Sequence, residues 1–188
     1  MSTTRVQRIG IWIIAVVLSV GTIGSFFVIV LANDNQRKDQ QSAQEVYAKQ
    51  LAAYKKQLAE QRKSLMPLDG YTATTFDAGS VKDLKVETLK EGTGDVLAAD
   101  STITANYFGW SSDGKIFDST NKNGTVTPID FSLAGVISGW TLGLTGKKVG
   151  SVVRLTIPAE QAYGSVDDGS GRPFGPLMFV VEIVAKKK

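Results

Sequence analysis

Two stretches decide the fold: Phe117-Asp118-Ser119 and, further along, Val136-Ile137-Ser138-Gly139-Trp140-Thr141-Leu142-Gly143-Leu144. The second stretch suits a short helix, because Val136 and Trp140 are spaced i, i+4 and would share one helical face. From Tyr71 onward it is the only stretch that suits a helix, because the other apolar runs are short and alternate with polar residues. The sequence therefore predicts a single short helix in the C-terminal two thirds of the chain.

The sequence around that helix is typical of an antiparallel β protein. Apolar and polar residues alternate over short runs, bounded by turns such as Glu91-Gly92-Thr93-Gly94-Asp95. The predicted strands are residues 84–88, 102–110, 152–157 and 177–183. A sheet wrapped on one short helix is an α+β arrangement.

The chain contains neither cysteine nor histidine. This composition excludes disulfides, thiol nucleophiles, a Ser-His-Asp triad, histidine acid–base chemistry and the HExxH zinc helix. The sequence therefore excludes most hydrolase mechanisms for this chain.

The net charge of +3 is unevenly distributed. Residues 1–32 contribute +2, residues 33–65 contribute +3, and residues 66–188 contribute −2. The C-terminal part is thus slightly acidic, so we expect no nucleic-acid partner.

Residues 9–32 carry no charge over 24 positions and would form a helix about 36 Å long. Such a helix crosses a hydrocarbon core of about 30 Å, which predicts a transmembrane signal anchor after a tail of residues 1–8. A cleaved signal peptide is the alternative, since Val30-Leu31-Ala32 resembles a cleavage site. The apolar run exceeds the usual length of roughly 7–15 residues, which favours the anchor.

The flanks of this run indicate its orientation. Arg5 and Arg8 precede it without any acid, whereas acids and bases are mixed after it. The positive-inside rule then favours a cytoplasmic N-terminus and a C-terminal domain in the periplasm or at the cell surface. The chain is expected to be a single-pass membrane protein attached through residues 9–32.

Residues 33–66 favour a helical stalk or linker, because they are rich in Gln, Lys and Ala and lack glycine. Tyr47, Leu51, Tyr54, Leu58 and Leu65 form a stripe that is too short to define a coiled coil. A solvated single helix, a weak dimer and packing of the stripe on the domain all remain open. The sequence 66–70 is expected to end the helix, because Pro67 disfavours helix in Met66.

Several motifs in one order resemble the FK506-binding type of peptidyl-prolyl cis-trans isomerase. The resemblance covers about residues 84–185, within a domain assigned to residues 67–188. It implies a half-open antiparallel sheet curled around one short helix, with the binding pocket between them. The matching stretches are Ala105-Asn106-Tyr107-Phe108-Gly109, Asp113–Thr120, Phe131–Leu133, Val136–Leu144, Leu155–Pro158, Ala162-Tyr163-Gly164 and Leu177-Met178-Phe179.

The resemblance implies a catalytic set of Asp118, Tyr163 and Tyr107, with Trp140 as the floor under the substrate's proline ring. The Ile137 N–H and the Tyr163 hydroxyl would hold substrate carbonyls. The other pocket residues implied by the resemblance are Phe117, Val136, Ile137 and Phe179. Core aromatics of a β fold are the alternative interpretation for any one of these residues taken alone.

Some positions depart from the family pattern. Ile129 stands where an aromatic residue is common, so that wall of the pocket is expected to be aliphatic. The loop 165–176 lacks the usual Ile-Pro pair, and Phe174 is the expected substitute lid. Gly135 replaces the acidic or Gln residue often found before Val-Ile. These departures bear on substrate preference and on the affinity for FK506- or rapamycin-like ligands.

The sequence thus predicts a membrane-anchored prolyl isomerase that assists folding of exported or surface proteins and binds proline-containing polypeptides. Rotation of the prolyl amide needs no base, nucleophile, metal or cofactor, so none is expected. A non-catalytic Pro-peptide binding module or holdase is the second hypothesis, and a stalked adaptor that dimerises weakly through residues 42–65 is the third.

Overall fold

The computed structural model describes residues 34–187, with side chains from residue 44 onward. Its contacts divide the chain into two units, Met1–Leu51 and Ala52–Lys188. The first unit is described only by its helical residues 34–51. The predicted tail 1–8 and the predicted anchor 9–32 lie outside the described residues. Within residues 34–187, no helix combines the length and the apolar character needed to cross a membrane.

The described chain consists of two α-helices and nine strands, joined by turns and three short 3₁₀ segments. In chain order they are α1 (Asp34–Arg62), β1 (Leu65–Met66), β2 (Lys85–Lys90), β3 (Thr102–Ser111), β4 (Ile116–Ser119), β5 (Asn121–Lys122), β6 (Thr125–Val126), β7 (Ile129–Ser132), α2 (Ser138–Leu144), β8 (Val152–Ile157) and β9 (Leu177–Lys186).

The main sheet is antiparallel and has the order β2-β8-β9-β3-β4, with β7 also paired to β3. One edge of β3 pairs with β9 along nearly its whole length. The other edge is divided, because β7 pairs with Thr102–Ala105 and β4 pairs with Phe108–Trp110. This division brings β4 and β7, which carry two walls of the site, to the same side of β3.

The first core lies between one face of the sheet and α2. Ile103, Leu155 and Phe179 come from alternate positions of their strands and pack with Trp140 and Leu144 of the helix. This is the period-two pattern that predicted the strands. The predicted antiparallel sheet on one short helix is confirmed, although α2 begins at Ser138 and the expected helix began two residues earlier.

A second core covers the opposite face of the sheet. Phe108 and Trp110 stack with ring centroids 5.0 Å apart, and Val180 packs beside them. The extended segment around Leu68 and Phe76 covers this cluster. The Trp110 Nε1–H donates to the Thr74 carbonyl oxygen at 2.9 Å, which fixes the segment on the sheet.

The helix α1 ends at Arg62, before the predicted boundary at residue 66. Leu65 and Met66 instead form β1, which pairs with Lys122 and Asn121 in a small sheet of order β1-β5-β6. The backbone hydrogen bonds of this pair compete with continuation of the helix. As a result, residues 65–66 lie beside β4, the strand that carries Asp118.

Candidate functional site

A cavity of about 500 Å³ lies between the sheet and α2. Strands β3, β4, β7 and β9 contribute to it, together with the start of α2 and the loop after β8. It brings together every predicted site residue except Ile129 and Phe174. The lining residues are Tyr107, Phe117, Asp118, Phe131, Gly135, Val136, Ile137, Trp140, Tyr163, Arg172 and Phe179.

Trp140 is the centre of an aromatic box. Its ring meets Tyr107, Phe131 and Phe179 edge-to-face, with centroid distances of 5.2, 5.4 and 5.4 Å. Phe117 extends the box, because its ring lies 5.5 Å from that of Phe179. Edge-to-face pairs are stabilising beyond their buried area, so the walls hold one another in place. The result is a rigid, apolar floor and walls.

Asp118 lies on the rim of this box and is held in one orientation. Its Oδ2 accepts a 2.5 Å hydrogen bond from the Tyr107 hydroxyl, and its Oδ1 accepts from the Ser119 N–H at 2.8 Å. The Asp118 residue itself is exposed, whereas Tyr107 is buried. Burial raises the pKa of Tyr107 far above its ordinary value, and the bond to Asp118 raises it further. The carboxylate therefore faces the pocket beside a phenol that keeps its proton.

Tyr163 lines the same cavity as the box and is 40% exposed. Partial burial and the charge of Asp118 raise the pKa of the Tyr163 phenol, while Arg172 opposes that shift. The Arg172 guanidinium carbon is 5.9 Å from the Tyr163 ring centroid. Arg172 is also paired with Asp168 at 2.6 Å, so an ion pair within the loop positions the cation at the mouth.

Ile137 precedes α2 and caps its N-terminus through its backbone. Its carbonyl accepts hydrogen bonds from the N–H groups of Trp140 and Thr141 at 2.9 and 3.3 Å. Within residues 34–187, no group accepts a hydrogen bond from the Ile137 N–H. This donor lies at the cavity wall and is available to a carbonyl oxygen entering the cavity.

Two predicted residues do not reach the pocket. Ile129 is 42% exposed and sits opposite Ala105 at the start of β7. Phe174 is 50% exposed and lines a different cavity, which is formed with residues of the β3–β4 hairpin. Ile129 therefore does not form the predicted aliphatic wall of this cavity, and Phe174 does not form its predicted lid.

The sequence prediction missed Phe131, Gly135 and Arg172 as lining residues. Phe131 is two positions after Ile129 on the same strand face, and its ring lies 5.4 Å from Tyr107. The alternation of β7 puts both residues on one face, so it cannot separate them. Their places along the strand differ, because Phe131 lies opposite Ile103 and meets the box, whereas Ile129 lies opposite Ala105 at the exposed start of β7. Arg172 was predicted as part of the loop, without a role at the pocket.

The arrangement suits the rotation of a peptide bond. Resonance gives that bond a barrier of about 18–20 kcal/mol, and the twisted amide is less dipolar than the planar one. A site for this rotation therefore needs an apolar box, which favours the twisted form, and a few polar groups able to hold the neighbouring carbonyls. The aromatic box around Trp140 is the first part, and the Ile137 N–H and the Tyr163 hydroxyl are groups of the second kind.

Comparison with known proteins agrees with this geometry. Residues 94–184 match the model of the FKBP-type peptidyl-prolyl cis-trans isomerases. An FK506-binding protein of Streptomyces anulatus is 41% identical over 108 residues, which span 55% of this chain and 86% of that protein. Membership of the FKBP-type peptidyl-prolyl cis-trans isomerase family, and with it the enzyme class, is thereby shown for this chain.

Two further relatives are longer than the matched region. FkpA of Escherichia coli K12 is 38% identical over 104 residues, which span 55% of this chain and 38% of FkpA. The crystal structure of E. coli FkpA superposes with a TM-score of 0.51 at 29% identity, covering 90% of this chain and 80% of that one. The outer membrane protein MIP of Legionella longbeachae is 36% identical over 108 residues, which span 56% of this chain and 45% of MIP.

Proposed function

We propose that this chain isomerises Xaa-Pro bonds in polypeptides that bind with the proline ring on Trp140. The observation that carries the proposal is the pairing of a rigid aromatic box with a fixed carboxylate, Asp118, at its rim. The proline ring fills the apolar floor, and the Ile137 N–H and the Tyr163 hydroxyl hold the flanking carbonyls. Asp118 favours the rotated amide through its charge.

The experiment is a prolyl isomerase assay on a panel of Xaa-Pro peptides with the Asp118→Asn variant. This substitution removes the charge but leaves an oxygen that accepts from Tyr107. We expect the rate to fall at least about tenfold, as losses of preorganised electrostatic groups commonly do. Asp83→Asn is the matched control, because Asp83 is an exposed acid outside the pocket lining. Equal rates in the Asp118 variant and wild type would contradict the proposal.

A binding module with slow turnover is the second candidate function, and the position of Arg172 favours it. Its guanidinium carbon lies 5.9 Å from the Tyr163 ring centroid, and both residues line the cavity that a substrate would enter. Saturable binding of proline peptides without rate enhancement would support this alternative. The same pocket would accept FK506- or rapamycin-like macrolides, and competition between such a ligand and a proline peptide tests that use of the box.

The cellular role we propose is assistance to the folding of exported or surface proteins. Uncatalysed isomerisation takes about 10–100 s, which is slow enough to limit folding. The uncharged run 9–32 supports attachment to a membrane with the domain outside the cytoplasm. The name of the MIP relative, an outer membrane protein, is compatible with this location. Reporter fusions that place residue 188 in the cytoplasm would refute it.

A further inference from the structure

A second cavity of about 500 Å³ adjoins the aromatic box. The two cavities share Phe117, Asp118, Tyr163 and Arg172 as lining residues. The rest of the second cavity is lined by segments that do not line the first cavity, which holds the aromatic box and is called the prolyl pocket below. These segments are the end of α1, β1, β5 and the loop before β9, with the lining residues Leu58, Gln61, Arg62, Ser64, Leu65, Lys122, Gly171 and Pro173.

The end of α1 is hydrogen-bonded to the loop before β9, which lines this cavity. Arg62 Nη2 donates a hydrogen bond of 2.9 Å to the Gly171 carbonyl oxygen. Leu58 and Tyr54 pack over the same residue, because a β-carbon at Gly171 would lie 2.5 Å from Leu58 and 3.5 Å from Tyr54. The helix therefore builds one wall of a groove that continues from the prolyl pocket.

The charges around this second cavity are mainly positive. Arg62, Lys122 and Arg172 line it, and Asp118 is its one acidic lining residue. Arg172 is paired with Asp168, but no carboxylate of residues 44–187 pairs with Arg62 or Lys122. Leu58, Leu65 and Pro173 supply apolar surface between these cations. A groove of this kind complements an extended peptide that carries an acidic side chain next to apolar ones.

We propose that this groove is a subsite for the residues flanking the substrate's proline, and that it selects segments with an acidic side chain. The inference rests on the proposed function, since the groove adjoins the pocket assigned to the prolyl ring. Arg62 and Lys122 are its specificity-determining residues. The C-terminal end of α1 thus becomes part of substrate recognition.

The expected selectivity is modest, because the cations are exposed. Exposed ion pairs contribute about 0.2–1 kcal/mol, which corresponds to roughly 1.4- to fivefold per pair. Contacts with both Arg62 and Lys122 would give an acidic peptide about a two- to twenty-five-fold higher kcat/KM than its neutral counterpart. The preference should appear mainly in KM, because the charges bind the flanking residues and not the rotating bond.

The test uses the full chain and peptides that differ only in one flanking residue, which is Glu, Gln or Lys. We expect the order Glu above Gln above Lys, with differences that shrink as salt is raised. The double variant Arg62→Gln/Lys122→Gln should bring the three rates together. Lys55→Gln/Lys90→Gln is the matched control, because both lysines are exposed and neither lines the groove.

The outcomes separate the two proposals. If the Gln peptide is isomerised and all three peptides react alike, the subsite is refuted while the proposed function stands. If the control variant loses the preference as fully as the groove variant, net charge and not the subsite is responsible, which also refutes it. If no peptide is isomerised, the proposed function fails, and fluorescence titration with the Glu and Lys peptides still decides whether the groove discriminates them.

Discussion

The hydroxyl of Tyr107 joins the buried part of the site to its exposed rim. Burial raises the pKa of this phenol, and its hydrogen bond to Asp118 raises it further. In the unfolded chain the same phenol would ionise near its ordinary pKa of about 10. The hydrogen bond from Tyr107 therefore links the position of the Asp118 carboxylate, the proposed catalytic group, to the stability of the core.

This difference predicts how stability depends on alkaline pH. Below about pH 10 both the folded and unfolded forms hold the Tyr107 proton, so the phenol adds no pH dependence. Above that pH the unfolded form releases the proton and the folded form keeps it, so the free energy of unfolding falls as pH rises. Tyr107→Phe should therefore lose less stability than wild type between pH 9 and 11, as measured by urea unfolding.

At neutral pH the same variant should be less stable by about 1–3 kcal/mol, because a hydrogen bond to a charged group is lost. Tyr71→Phe provides a control, since the Tyr71 ring belongs to the second core and lies outside the pocket lining. Identical alkaline slopes in wild type and Tyr107→Phe would show that the phenol is not responsible.

At the scale of single elements, α2 depends on two glycines that face β8. A β-carbon at Gly139 would overlap Ile157 Cγ2 and lie 2.8 Å from its Cδ1. Ile157 is fully buried, so it has little room to move. The close approach lets Trp140, the next residue, sit against the sheet at the pocket floor.

Gly139→Ala should therefore destabilise the protein by about 1–3 kcal/mol, the usual cost of overpacking a core. This result would oppose the normal helix preference for alanine over glycine, which is about 1 kcal/mol. Gly135→Ala is the control, because nothing lies within 4 Å of a β-carbon there and its φ is not positive. Thermal or urea unfolding of both variants measures the difference, and equal stabilities would disprove the packing argument.

The contact between α1 and the loop before β9 gives a second test at this scale. Gly169 and Gly171 both have positive φ, 76° and 80°. A β-carbon at Gly169 meets nothing within 4 Å, whereas one at Gly171 meets Leu58 and Tyr54. An alanine at either position would therefore carry the same kind of backbone strain, but only an alanine at position 171 would also meet the helix.

We expect Gly171→Ala to increase amide hydrogen exchange in residues 52–62, because the new methyl group pushes the loop from the helix. Gly169→Ala should leave exchange in those residues close to wild type, since it adds backbone strain alone. If both variants change exchange to the same extent, the helix contact at Gly171 has no special role.

Elements with local patterns were predictable from the sequence, and elements defined by distant partners were not. The alternation in Val152–Ile157 and the single helical spacing around Trp140 gave β8 and α2 with small errors. The strand β1 was missed, because Leu65 has its partner Lys122 far along the chain. Phe131 was missed for a related reason, since its ring packs against Tyr107 and Trp140, which lie elsewhere along the chain.

At the scale of the whole molecule, the segment before the β domain supports β4, the strand that carries Asp118. The Ser119 hydroxyl donates to the Met66 carbonyl oxygen at 2.6 Å, and the Asn123 N–H donates to the Ser64 carbonyl oxygen at 2.8 Å. Ser119 is buried and directly follows Asp118. A boundary placed at residue 67, as the sequence predicts, would remove both of these acceptors and leave the Ser119 hydroxyl only the longer, 3.3 Å contact with the Tyr107 carbonyl oxygen.

We therefore compare a chain of residues 52–188, which is the second contact unit, with one of residues 67–188. The shorter chain should be less stable to urea by about 2–4 kcal/mol, since each lost hydrogen bond contributes about 0.5–1.5 kcal/mol and apolar burial by Leu58 and Leu65 is lost as well. Its isomerase rate should also fall, because Ser119 no longer fixes the strand that carries Asp118.

Ser119→Ala within residues 52–188 separates the causes. This variant should reproduce part of both losses, whereas Ser80→Ala, which lies outside the small sheet, should reproduce neither. Equal stability and rate in the two chains would mean that residues 52–66 have no part in shaping the site.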